Sequence, residues 1–218
     1  MRLAPVAIRW QHNPEKAEAV ARRQSLTTHA AAEAVDACEL FARILVNAIN
    51  GKGHDAIRVP DIDPDWQPSI KAIVGGCWRG KAEADIRSTG YVVDTLEAAL
   101  WAVAGTTCFK DAILKAANLG HDADTVAAVA GQIAGAIYGV GRILDQWIHR
   151  LYRGAEIHEL GKELFLAGIV NLTPDRHSCR KRCPQARPDQ PTRAVPVASR
   201  QEMKAQPRAT RYSLAERR

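Results

Sequence analysis

The sequence has no apolar run long enough to cross a bilayer. Its longest weakly polar run, Val126 to Gly141, is interrupted by Gln132 and falls short of the ~20 residues a spanning helix needs. Met1 to Trp10 likewise lacks the sustained apolar stretch and small-residue cleavage site of a secretory leader. Cysteine is sparse and scattered. Cys38, Cys77 and Cys108 fall in apolar contexts, where a reduced buried thiol is the default, and the spacing of the five thiols spells out no disulfide framework. The expectation is a cytoplasmic protein with no membrane partner. A net basic charge is missing from most of the chain as well. Residues 171–218 hold twelve Lys/Arg against four Asp/Glu, so the net charge of +6 leaves the first 170 residues near −2. No basic face remains there for a specific nucleic-acid interface.

That charge division suggests two parts. Residues 1–170 read as one helical domain of sufficient size for a substantial core. Residues 171–218 contain six prolines, a cationic bias and neither helical nor strand period, so a disordered tail is expected, whether evolved or the product of a frameshifted or divergent C-terminus. His177, Cys179 and Cys183 lie in it, but one His and two Cys without a fourth spaced ligand are a weak zinc signal.

Apolar periodicity places the helices of the domain. Pro14 to Arg23 is a short one, with Pro14 in its first turn and Ala17, Val20 and Ala21 on one face. A longer helix is expected from Thr28 or His29, carrying Ala34, Val35, Cys38, Phe41, Leu45 and Ile49, and ending at Gly51 and Gly53. Pro60, Pro64 and Pro68 make residues 54–69 a connection, and Gly75 and Gly76 weaken the helical pattern of Ile70 to Gly80. The next helix is expected near Asp94, with Glu97 three residues on as a capping box and Leu96, Ala99, Leu100 and Val103 buried. Thr106 to Asn118 forms another, and Ile143 to Val170 one or two more.

Between the helices ending at Asn118 and beginning at Asp124 or Thr125 lies an acidic turn, in the stretch NLGHDADTVAAVAGQIAGAIYG. Gly120 suits the left-handed conformation that closes a helix. If the turn is extended, Asp122 and Asp124 point the same way beside the Thr125 hydroxyl, and three hard oxygens so placed suit Mg²⁺. The plainer alternative is that Asp124 caps the helix and Asp122 favours its positive end. The following helix is rich in Ala and Gly, so another helix must approach it closely.

GHDADTVAAVAGQIAGAIYG, TGYVVDTLEAALWAV and MRLAPVAIRW resemble, in order, segments of the ADP-ribosylglycohydrolase family, over roughly residues 1–150. The resemblance implies an all-α orthogonal helical bundle and hydrolysis of the bond joining ADP-ribose to a modified group, commonly an arginine guanidinium. The expected partner is an ADP-ribosylated protein or an ADP-ribose-containing small molecule. The implied cofactor is a pair of Mg²⁺ ions, with Mn²⁺ as the alternative. By motif match, Asp122, Asp124 and Thr125 are metal ligands, Asp122 and Asp124 are the catalytic acids, and Asp124 is the best placed to bridge two ions. Thr28 and His29 match a Thr-His pair that sits beside the ligand, and Tyr91 falls in a segment contributing to the cleft, so His29 and Tyr91 are the expected substrate contacts. His121 departs from the pattern, standing where relatives usually carry glycine or an acid. The family's earlier acidic cluster and its diphosphate-holding glycine loop have no counterpart here, so the chain is expected to begin partway through the fold. The alternative function is a non-catalytic helical remnant or interaction module without a complete metal site.

Overall fold

The structure, a computed structural model, describes residues 1–170. The basic segment 171–218, with His177, Cys179 and Cys183, lies outside the described residues. Among those described there is no strand, and the helices are α1 (Ala4–Arg9), α2 (Pro14–Leu26), α3 (Ala32–Asn47), α4 (Pro68–Gly75), α5 (Val92–Ala104), α6 (Phe109–Ala117), α7 (Ala123–Tyr138), α8 (Asp145–Ile148) and α9 (Gly154–Val170). No described helix is long and apolar enough to cross a membrane.

Helix α3 is the centre of the domain, packing against α1, α2, α4, α5 and α7. Leu40, Ile44, Leu45 and Val46 of α3 are fully buried, with Leu100 and Val103 of α5 and Val126 and Ile133 of α7. Each such side chain contributes about 1.5–3 kcal/mol by leaving water. Because helices surround α3, burial extends past the expected stripe to Asp36 and Glu39. Both acids are satisfied: Arg22 of α2 donates to Glu39 at 2.6 Å, and the Gln67 amide donates to Asp36 at 2.9 Å. A second tie joins the same helices, Arg43 donating to both oxygens of Glu18 at 2.8 and 2.9 Å.

Two helix starts differ from the sequence expectation, each for a local reason. Helix α3 begins at Ala32 rather than at Thr28 or His29. The Ser25 carbonyl accepts from the amides of Thr28 and His29, and the Ser25 hydroxyl donates to the His29 carbonyl, so α2 closes on a turn and the chain is extended at Ala31 before α3. Helix α5 begins at Val92, not near Asp94. Thr89 organises this entry: its hydroxyl accepts from the Tyr91 amide at 3.1 Å and donates to Asp94 at 2.8 Å. Glu97 makes no capping box, because its carboxylate is held by Lys81 at 2.6 Å. Cys77, expected to be buried, is exposed with its thiol donating to Glu97, whereas Cys38 and Cys108 are half-buried.

The expected close approach on the Ala/Gly helix is made by α6. A Cβ added at Gly131 of α7 would lie 3.3 Å from Ile113 Cδ1. Helix α9 instead rests on α1, where Gly168 is its buried residue and a Cβ there would come within 2.9 Å of the Arg9 carbonyl oxygen. Ile157, Leu160, Leu166 and Val170 of α9 remain exposed.

Candidate functional site

The acidic turn is pinned from below by the segment leading into α5. The Asp122 amide donates to the Ser88 carbonyl at 3.1 Å, and the Ser88 hydroxyl, buried, donates to the Gly120 carbonyl at 2.8 Å. Gly120 takes the expected left-handed conformation (φ 75°), and His121 follows it with φ 53°. A side chain in that region costs about 1–2 kcal/mol, which the surrounding ties must offset. Helix α7 then starts at Ala123, with Asp122 in the N-cap position at φ −92°, ψ 41°. The turn is therefore not extended, and Asp124 is a first-turn residue and not the cap. Asp122, which does hold the cap position, makes no side-chain cap hydrogen bond.

Neither carboxylate is used by the fold. Among the described residues Asp122 and Asp124 have no side-chain hydrogen bond and no ion pair, in contrast to buried Asp94, which is bonded by Thr89 and lies 2.8 Å from the Arg87 guanidinium. Asp122 Oδ2 would lie 3.3 Å from a Cβ added at Gly90, so the bare backbone at Gly90 is what accommodates it.

Gly90 and Thr125 also line a cavity of about 560 Å³. Its walls are mostly apolar, with Phe41, Val92, Leu96 and Val129 among them. The polar lining includes Arg2, Thr28, His29, Thr95 and Thr125, with Gln24 and Ser25 of α2 beside them. The structure thus brings Thr125 and His29 to one cavity, with Asp122 against its Gly90 wall and Asp124 one residue from Thr125. Displacing the start of α3 places Thr28 and His29 in an irregular connection rather than on a helix.

Tyr91 stands apart. It does not line the cavity, although Gly90 and Val92 on either side do, and its hydroxyl donates to the Glu33 carboxylate at the start of α3. Ser69 donates to the same carboxylate at 2.6 Å. These hydrogen bonds, Ser69's first and Tyr91's second, hold Glu33 below the usual carboxylate range, and the bond to Glu33 pushes the Tyr91 phenol up.

The donor set Asp122, Asp124 and Thr125 has the chemistry of a Mg²⁺ site, hard oxygens with no competing partner among the described residues. Its number is about half of an octahedral shell. No group of three or more His, Cys, Asp or Glu among the described residues is arranged to hold a metal. Sequence reasoning did not find Arg2, Ser88, Gly90 or Glu33, because each acts on a residue 26 or more positions away and no local spacing signals it.

The sequence profile of the ADP-ribosylglycohydrolase family matches residues 1–173. The chain is 45% identical over 165 residues to the ADP-ribosylarginine hydrolase Tri1 of Pseudomonas putida (strain GB-1), covering 76% of this chain and 44% of that protein. It is 30% identical over 158 residues to the ADP-ribosyl-[dinitrogen reductase] glycohydrolase of Rhodospirillum rubrum, covering 69% and 49%. A solved ADP-ribosylglycohydrolase-related protein complex superposes with a TM-score of 0.71 at 38% identity, over 77% of this chain and 59% of that one. The chain spans about half the length of the curated relatives it matches.

Proposed function

The chain belongs to the ADP-ribosylglycohydrolase family, and on that premise we propose that it takes part in hydrolysing the bond between ADP-ribose and an acceptor, with ADP-ribosylated arginine on a protein as the substrate class. The observation that carries this reading is the convergence of Thr125 and His29 on one cavity, beside two carboxylates that the fold leaves unpartnered. In the reaction, water oxygen bonds to the ribose carbon as the carbon–nitrogen bond to the guanidine breaks, and the departing nitrogen takes up a proton.

Asp122, Asp124 and Thr125 are the residues that would hold Mg²⁺, or Mn²⁺ in its place. Bound there, the ion would supply charge stabilisation at the reacting centre and orientation for ribose hydroxyls and water. The chain's own contributions are simpler. The apolar walls exclude water from part of the ligand, His29 offers a polar contact, and the clasp between Ser88 and Gly120 fixes where the acids stand. A cytoplasmic setting is part of the same proposal, in line with Cys38, Cys77 and Cys108 being free thiols.

The test is release of ADP-ribose from ADP-ribosyl-arginine by the purified chain with Mg²⁺, and its abolition by Asp124→Ala. Equal rates in parent and variant would remove Asp124 from the site. A second reading, a non-catalytic helical module, is favoured by the incomplete donor set among the described residues. Calorimetry showing ADP-ribose binding indifferent to Mg²⁺, without turnover, would support it.

A further inference from the structure

Arg2 lines the same cavity as His29, and its role follows from hydrogen-bond direction. The Arg2 Nη2 donates to the Thr28 hydroxyl oxygen at 2.9 Å, and that oxygen lies 2.9 Å from His29 Nδ1. A guanidinium has donors only, so Thr28 must accept from Arg2. The hydroxyl has a single proton, and His29 Nδ1 is the one other polar atom within its reach among the described residues. The bond that uses every group runs from Arg2 to Thr28 to His29, with Nδ1 as acceptor. In a neutral imidazole the ring proton then resides on Nε2, the nitrogen left over for a ligand.

We propose that Arg2 is a positioning residue that acts through Thr28 to fix His29 as its Nε2–H tautomer, so that His29 meets the ligand as a hydrogen-bond donor and not as a general base. The assignment of a donor role toward ADP-ribose rests on the function proposed above; the tautomer does not. The opposite polarity, Nδ1–H to Thr28, would occupy both lone pairs of that oxygen with donors and leave its proton to solvent, with no protein acceptor among the described residues. A bare Nε2 lone pair would then face the ligand.

Long-range proton–nitrogen NMR of the full chain labelled at histidine, at about pH 8 where imidazole is neutral, reads the tautomer directly. His29, assigned by the signal missing in His29→Gln, is expected to show an acceptor-type Nδ1 and a protonated Nε2. Arg2→Gln and Thr28→Val are expected to relax it toward a mixed population. A protonated Nδ1 in the parent, or a pattern unmoved by both variants, overturns the proposal.

ADP-ribose affinity tests the consequence. Gln places an amide nitrogen near the position of Nε2 and Asn near that of Nδ1, so His29→Gln should bind within about threefold of the parent while His29→Asn loses about tenfold, the scale of one hydrogen bond. The reverse ranking overturns the donor role. If the parent binds no ADP-ribose, the functional proposal fails and the NMR pattern still decides the tautomer.

Discussion

On the α2–α3 side of the cavity the polar side chains are already engaged with one another: Arg2 with Thr28, and Thr28 with His29. On the α7 side Asp122 and Asp124 meet no partner among the described residues, although the backbone beneath them is tightly held through Ser88. One wall is thus preset by its own hydrogen bonds, and the other is a fixed scaffold presenting open acceptors. An acid whose oxygens the fold does not use is free to be used by a ligand, so substitutions on the two walls should separate stability from function.

The sharpest separation is expected at Asp124. Its replacement by Ala should lower ADP-ribosyl-arginine hydrolysis by more than about 100-fold, beyond the 10–100-fold typical of residues that only support a metal ligand. Its melting temperature should stay within about 2 °C of the parent, since no folded-state contact is removed. A large drop in melting temperature would break the comparison. Ser88→Ala acts on the scaffold beneath: it strips the Gly120 carbonyl of its donor inside the protein and should cost about 1–2 kcal/mol in chemical denaturation. It should also weaken any Mg²⁺ binding, which Asp124→Ala without Ser88→Ala would calibrate.

Smaller effects are expected within the turn. Gly120→Ala meets no atom within 4 Å, so its cost is the left-handed backbone alone, about 1 kcal/mol. His121→Gly should return up to about 1 kcal/mol by relieving φ 53°. Differential scanning calorimetry of the pair should show shifts of opposite sign. The least effect concerns the Glu33 cluster outside the cavity, and pH. Glu33 has a folded-state pKa below its unfolded one, so its contribution is full above the ordinary glutamate value and is lost as pH falls through the lower, folded value. Acid unfolding of Glu33→Gln should lack that increment, and identical acid profiles would show that the Glu33 hydrogen bonds add no stability.

Helices α2, α3, α5, α6 and α7 and the acidic turn were legible in the sequence because 3.6-residue periodicity, proline and Gly120 are local signals, whereas α1 was not read as a helix. Starts were less so. Ser25 and Thr89, small hydroxyl residues just ahead of the expected starts, redirect the backbone, and nothing in their spacing competes visibly with the stronger patterns at Thr28 and Asp94. The carboxylates of the turn were found by motif. Their spacing had suggested an extended geometry, which the early entry into α7 replaces. Arg2, Glu33 and Ser88 were illegible because their meaning depends on partners brought near only by the fold.

Helix α9 rests on α1 through Gly168, close to its last turn, while Ile157 and Leu160 near its beginning stay in solvent. Gly168 is some fourteen residues, ~21 Å, from the first residue of the helix. A rod held near one end is a lever, and its free end opens at little cost. Amide hydrogens in the first two turns of α9 should therefore exchange with deuterium long before those beside Gly168, and enlarging Gly168 should set the whole helix exchanging together.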